Sequence, residues 1–342
     1  MGFVIKVVLI GAGTMGSTHA QAYEQMEGVQ VAGVVDIQLE RAQSLADEVH
    51  ARAFASYEEA MSALDDVDVV DVCLPTYLHK PHVLQAARAG KHVICEKPLA
   101  RHLADAEEMI AVCKQHGVKL FVGHVLRFFP EYAQARTVIE AGDLGEIGVV
   151  RTSRGGAFPR AWNNWYADYS LSGGLTLDMI IHDFDYLRWC FGEVDRVYAK
   201  SLRGRVYGQI DYALVTLRFQ NGVIAHVEGT WAHESFAMSF EIAGKSGVLH
   251  FDSARDNPVT AVSRNEVQGG HGVAVPESPL REGTYYRELK HFMDCIANGS
   301  EPQITAEDGL EALRISLAAL ESMETGKPVT LIHKPSAMQH QS

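Results

Sequence analysis

Residues Phe3–Asp36 read FVIKVVLIGAGTMGSTHAQAYEQMEGVQVAGVVD, and this stretch decides the fold. The β-branched, apolar run to Ile10 reads as a strand, Gly11, Gly13 and Gly16 make a GxGxxG turn, and Thr14 to Met26 carries a helical pattern. A second strand, Val29 to Val35, ends at Asp36, about twenty positions beyond the last glycine. A bare GxGxxG says little, but strand, turn, helix, strand and acidic end in that order are the fingerprint of a dinucleotide-binding βαβ unit. Each glycine has its own reason. Gly11 permits the tight turn, Gly13 lets backbone approach a pyrophosphate, and Gly16 lets the helix pack closely on the strand. Thr14 and Met15 open the helix whose N-terminal N–H groups face the phosphates. Asp36 is placed to accept from the ribose hydroxyls and to repel a 2′-phosphate, and Ile37 brings no cation to offset that repulsion. NAD is therefore the expected cofactor.

Beyond Asp36 helical and strand periods alternate, which predicts a doubly wound parallel sheet. The expected helices are Leu39–Val49, Tyr57–Leu64, His79–Ala89 and Leu103–His116, and the expected strands Ala51–Ala55, Asp68–Leu74, Lys91–Cys95 and Val118–Gly123. From about Val125 the pattern changes to clustered strands of period two: Val194–Leu202, Asp211–Phe219, Val223–Trp231, Phe236–Ala243 and Val248–Phe251. Asn221-Gly222 marks a hairpin, with Ala213, Val215, Leu217 and Phe219 on its core face. One long helix, Leu175–Cys190, should cover that face. Asn257–Glu282 reads as a long loop, and helices Tyr285–Ala297 and Ala306–Thr325 follow. The expected organisation is α/β throughout: a Rossmann domain over 1–124, a second α/β domain on a largely antiparallel sheet over 125–332, and a tail over 333–342.

Composition narrows the function classes. The 342 residues are 47% hydrophobic and 21% charged, which suits a globular chain with two cores. A net charge of -13 without a basic block argues against nucleic acid and anionic membranes as partners. Five scattered cysteines in apolar runs read as buried thiols of a reducing compartment, and with no cleavable leader pattern at the N-terminus a cytoplasmic location is expected. No cysteine or histidine set has ligand spacing, so no metal is expected.

Two clusters carry chemistry. Glu96-Lys97-Pro98 ends a strand at the sheet edge where the nucleotide should lie. Asp178 and His182 stand four apart in GGLTLDMIIHDFD, so a helix would project them from one face, where carboxylate and imidazole can share a proton task. On spacing alone such a pair is more often a structural hydrogen bond.

GAGTMGSTHA, LPTYLH, CEKPLA and GGLTLDMIIHDFD, in that order and spacing, resemble the Gfo/Idh/MocA oxidoreductases over nearly the whole chain. The resemblance implies a homodimer or homotetramer. It implies that Lys97 contacts the reacting hydroxyl, that Pro98 is cis, and that Asp178 and His182 are catalytic. It further implies that Pro75, Thr76 and His79 lie near the nicotinamide and its ribose, with Glu96 beside them, and that Arg127 lies near the substrate. His124, Val125 and Leu126 depart from the family's common F-N-R pattern. The stretch FPRAWNNWYADY, residues 158–169, mixes aromatics with amides as a sugar site does, which makes Trp162 and Asn163 candidates for substrate contact. The expected activity is NAD-dependent dehydrogenation of a secondary alcohol on a polyol, sugar or cyclitol. An NAD-dependent glycosidase with transient redox, or a non-catalytic nucleotide-binding regulator, are the alternatives on sequence.

Overall fold

The computed structural model describes residues 4–203, 210–254 and 283–332. The expected loop at 257–282 and the tail at 333–342 lie outside them. The first half is built from β1 (Ile5–Ile10), α1 (Thr14–Glu24), β2 (Val29–Val35), α2 (Leu39–Glu48), β3 (Arg52–Phe54), α3 (Tyr57–Ala63), β4 (Val69–Val72), α4 (His79–Arg88), β5 (His92–Glu96), α5 (Leu103–Gln115) and β6 (Leu120–Gly123). Its strands pair in the order β3-β2-β1-β4-β5-β6, all parallel. The order reverses beside β1, and at such a switch point the carboxyl ends of the strands open a crevice for ligand. Buried on both sides, β4 reads VVDV with every residue inaccessible, as a central parallel strand should.

The second half comprises α6 (Pro130–Glu140), β7 (Ile147–Ala157), α7 (Tyr169–Ser172), α8 (Gly174–Asp178), α9 (Ile181–Phe191), β8 (Val194–Arg203), β9 (Ile210–Phe219), β10 (Ile224–Thr230), β11 (Ala232–Gly244), β12 (Gly247–Asp252), α10 (Thr284–Asn298), α11 (Ala306–Thr325) and β13 (Val329–Thr330). Its sheet runs β12-β11-β7-β10-β9-β8-β13, antiparallel except where β10 lies parallel to β7. The hairpin forms as expected, with Ala213, Val215, Leu217 and Phe219 buried. The sequence pattern did not name β7, an interior strand of this sheet paired with β11 and β10. Its buried face carries Thr152 and Arg154, so the alternation of apolar and polar that marks a half-buried strand is broken.

Two elements differ from expectation. The long helix over Leu175–Cys190 is interrupted at Met179 and Ile180, giving α8 and α9. In a continuous helix the Asp178 carbonyl would accept from the His182 amide, but here it accepts from Lys97 Nζ at 2.6 Å. Next, α10, grouped by sequence with the second domain, packs on the first. Leu289, Phe292, Met293 and Cys295 join the core of β1, α1 and β2, and Phe292 stacks on Phe121 with ring centroids 4.8 Å apart.

Candidate active site

The glycine turn is shaped as the sequence pattern requires. Gly11 has φ +103, and a Cβ there would sit 2.4 Å from the Cys73 carbonyl oxygen. A Cβ on Gly16 would lie 1.8 Å from the Gly11 oxygen, so the helix could not approach the strand. A Cβ on Gly13 would meet nothing within 4 Å, and the residue stands at the N-terminus of α1 with no side chain capping the helix. Open space in front of uncapped N–H groups fits a pyrophosphate. Asp36 is held in place by two backbone donors, Ala12 N to Oδ2 at 2.9 Å and Gln38 N to Oδ1 at 2.8 Å. The residues present therefore fit NAD: the turn with Thr14 and Met15 for its phosphates, and Asp36 for its ribose.

One cavity opens where the carboxyl ends of β4, β5 and β6 meet α8, α9 and the second sheet. Met15, Thr76, Glu96, Lys97, Asp178 and His182 line it, so residues far apart in sequence converge. Lys97 Nζ donates to Asp178 Oδ1 at 3.1 Å as well as to its carbonyl, and both side chains are largely buried. The Lys97–Pro98 peptide is cis.

The helical spacing predicts that Asp178 and His182 share a proton task, and the structure gives Asp178 a different partner. The helix break turns its carboxylate to Lys97, and His182 Nδ1 finds no hydrogen-bond partner among the described residues. Burial depresses the His182 pKa well below its ordinary value, and the charges of Lys97 and Arg154 push it the same way. His182 is thus a neutral imidazole at the cavity wall, able to accept a proton. His124 meets it edge-on at 6.0 Å between ring centroids.

Other candidates fall elsewhere. Arg127 is buried in a bidentate pair with Asp185, Nε to Oδ2 at 2.8 Å and Nη2 to Oδ1 at 2.6 Å, and also donates to the Gln303 carbonyl at 2.7 Å. It ties the Val125–Phe128 turn to α9 and α11 and does not line the cavity. His79 is likewise a tie: Nδ1 lies 3.1 Å from the Pro98 oxygen and Nε2 2.8 Å from the Leu74 oxygen, joining the loops after β4 and β5. Pro75 caps the short turn Thr76–Leu78 but stays outside the cavity wall, whereas Thr76 is in it. In the 158–169 stretch Trp162 is half-exposed and Asn163, at φ 51, is exposed. Trp165 and Tyr166 take their place, stacked at 4.0 Å and lining the cavity.

The sequence pattern also missed wall residues, Arg154, Trp231, Phe236 and Tyr285 among them. Arg154 donates through Nε to Asp183 Oδ2 at 2.7 Å, Trp231 and Phe236 come from the second sheet, and Tyr285 comes from α10. Trp231 is buried and its indole N–H has no acceptor among the described residues. The only signal in sequence was composition, since strand periodicity does not say which loop ends face a distant domain.

Known proteins resemble the chain over nearly its whole length. Residues 5–124 match an oxidoreductase family by its NAD-binding Rossmann fold, and residues 136–331 match that family's C-terminal α/β domain. The chain is 31% identical over 339 residues to a myo-inositol 2-dehydrogenase of Thermotoga maritima, covering 96% of this chain and 98% of that protein. It is 29% identical over 345 residues to a scyllo-inositol 2-dehydrogenase (NAD(+)) of Bacillus subtilis, covering 96% of each. Among solved structures, a putative myo-inositol dehydrogenase from Sinorhizobium meliloti superimposes with a TM-score of 0.81 at 26% identity, over 96% of this chain and all of that one (100%).

Proposed function

The chain belongs to the Gfo/Idh/MocA oxidoreductase family, and from that premise we propose that it oxidises a secondary alcohol of a neutral cyclitol or sugar, with Lys97, Asp178 and His182 as its catalytic residues. The observation that carries the reading is the meeting of a paired ammonium and a neutral imidazole in one cavity beside the nucleotide turn. Oxidising an alcohol removes a hydride and a proton. Bound NAD supplies the hydride acceptor. His182, neutral and without a partner on Nδ1, takes the hydroxyl proton. Lys97 donates a hydrogen bond to the same oxygen and favours the charge developing on it, while Asp178 holds the ammonium in place.

The rest of the wall supports a neutral polyhydroxy substrate. Trp165, Tyr166, Trp231 and Phe236 offer apolar faces, and the Trp231 N–H supplies a donor awaiting an acceptor. Lys97 and Arg154 already have their carboxylates in Asp178 and Asp183, so a uronate would find no free cation among these wall residues. The test is NADH release across myo-inositol, scyllo-inositol, glucose, galactose and uronates. Turnover of one or more of the neutral compounds is expected, and a flat response, or turnover of uronates alone, contradicts the proposal. A glycosidase would instead cleave its substrate with no net NADH.

Two further parts of the reading concern the whole molecule. The open face of the second sheet exposes Tyr198, Leu202, Leu214, Ile224 and Val248, opposite to the buried set on the same strands. A second copy of this chain is the occupant proposed for that face, as a homodimer or homotetramer, and a monomer by light scattering at micromolar concentration would contradict it. No helix of the described residues is long and apolar enough to cross a membrane. The five cysteines are all unpaired thiols, which suits the reducing cytoplasm proposed for the protein. Fractionation that recovered it outside the cytoplasm would overturn that placement.

A further inference from the structure

Beneath the cavity lies a buried chain of ionisable groups that the mechanism above leaves unused. His19, on α1, directs Nδ1 to Asp71 Oδ2 on β4 at 2.8 Å, and the Tyr23 hydroxyl donates to that same oxygen at 2.7 Å. On the other side of the ring, Nε2 lies 3.1 Å from Glu96 Oε1, an ion pair without the alignment of a hydrogen bond. Glu96 accepts from the Lys97 backbone N–H through Oε2 at 3.0 Å. His19 and Asp71 are completely buried, and Glu96 nearly so. The chain therefore runs from the helix that opens on the glycine turn to the backbone of Lys97.

Every element packed around the ring contributes a group. On β4, besides Asp71, Cys73 Sγ lies 3.2 Å from Nδ1. On α10, Tyr285 faces the ring at 6.0 Å between centroids, and Glu288 is buried with neither carboxyl oxygen partnered among the described residues. On β6, Gly123 leaves room for Glu96, since a Cβ there would press on Oε1 at 3.1 Å. Lys97 adds its positive charge next to Glu96.

A neutral imidazole has one N–H and one acceptor. Here both nitrogens face carboxylate oxygens, so the imidazolium is the form that satisfies both. Burial opposes that charge, but the Asp71 carboxylate beside Nδ1 at 2.8 Å favours it, and the His19 pKa is raised above its ordinary value. For Glu96, burial is likewise outweighed, by His19 and Lys97, and its carboxyl is held below the usual range. Glu288 goes the other way. Burial and the Glu96 charge push its pKa well up, so it stays protonated. His19, Asp71 and Cys73 also bring a nitrogen, an oxygen and a sulfur within 4.8 Å of one another, and burial and the Asp71 charge push the Cys73 thiol up.

We propose that His19 is a positioning residue for the dehydrogenation: bridging Asp71 and Glu96 as an imidazolium, it holds the Glu96 carboxylate against the Lys97 amide and so sets Lys97 in the cavity. The proposal rests on the reading of Lys97 as the group that meets the reacting hydroxyl. If His19 were replaced by a neutral residue, Asp71 and Glu96 would share a dry interior with no cation between them. One of them would then take up a proton. Glu96, at the cavity edge, is the one free to turn, and its hold on Lys97 is lost.

His19→Gln tests this, because it keeps a side-chain donor but cannot carry charge or bridge two carboxylates. A crystal structure of the variant should show Glu96 turned off the Lys97 amide. In the unaltered protein, ring-nitrogen NMR, with the His19 signals assigned by their loss in the variant, should show an imidazolium at neutral pH while His124 and His182 are neutral. On a polyol that the enzyme oxidises, His19→Gln and Glu96→Gln should each lower kcat by about tenfold or more with the affinity for NAD within about twofold, and the double variant should be no slower than the slower single one. An unchanged Glu96–Lys97 bond in His19→Gln, a neutral His19 ring, or losses that multiply in the double variant would overturn the proposal. If His19→Gln does not fold, Glu96→Gln carries the kinetic readout and NMR still reports the ring. If no polyol is oxidised by the unaltered protein, the function proposed above fails, whereas the crystal structure and NMR still decide the role of His19.

Discussion

Replacing Arg127 by Met separates a structural arginine from a substrate-binding one. The guanidinium is 1% exposed and so is its partner Asp185, and two bonds of 2.8 and 2.6 Å join them. Asp308 Oδ2 stands 3.4 Å from the same guanidinium, and the ring of Trp189 packs over it at 5.2 Å. Removing one member of a buried pair leaves the other charged and dry, which costs about 3–5 kcal/mol. That is a large part of the roughly 5–15 kcal/mol that holds a typical domain folded, and it corresponds to a fall in melting temperature on the order of 10 °C. The second variant, Arg127→Met with Asp185→Leu, should recover much of the loss, because apolar groups of similar volume do not need each other's charge. Thermal unfolding followed by circular dichroism measures both. Steady-state kinetics on an oxidised polyol should show KM within about twofold of the unaltered enzyme. A melting temperature within about 2 °C of the original, together with a KM raised about tenfold, would mean that Arg127 meets substrate and that the buried pair has been misread.

Three further outcomes are expected. His182→Ala and Lys97→Met should each lower kcat by roughly a hundredfold or more with NAD binding retained, and near-normal turnover in either variant would remove that residue from the mechanism. Because burial depresses the His182 pKa, its imidazole is already neutral at physiological pH, and the oxidative rate should fall only as pH drops through that lowered value. An inflection above the ordinary histidine pKa in the pH–rate profile would contradict this, and would point instead to a carboxylate partner for the ring. Asp36→Ala should relax the preference for NAD over NADP, and equal efficiency with both cofactors before mutation would refute the role of Asp36 in excluding the 2′-phosphate.

Much of the first half was legible because its signals are local. A parallel strand buried on both sides needs a continuous apolar run, a helix needs its period, and a turn beside a phosphate needs glycine where a Cβ would collide. A Cβ at Gly11 or Gly16 would meet backbone oxygen at 2.4 or 1.8 Å, so no other residue would do, and the pattern could be read from one chain. The same logic recovered the hairpin at Asn221-Gly222 and the capped helix α11, whose Thr305 and Asp308 form a reciprocal cap. Where buried polar residues interrupted the period, as in β7, the reading lost the strand.

The site divides differently. Sequence alone determined which residue types stand at the ends of β2 and β5 and in α8 and α9, because those positions follow from periodicity and from motifs carried on adjacent residues. Tertiary structure decided their partners. Asp178 and His182 are four apart in the chain, yet the break between α8 and α9 gives the Asp178 carbonyl and carboxylate to Lys97 and leaves His182 neutral and unpaired on Nδ1. Arg127 and Asp185 are 58 positions apart, Arg154 and Asp183 29, and His19 and Asp71 52. No local rule pairs them. A charge in a dry interior is satisfied by whichever opposite charge the packing brings within reach, and that choice is made by elements distant in sequence that pack together, across the two domains for Lys97 and Asp178 and within one domain for the other three pairs.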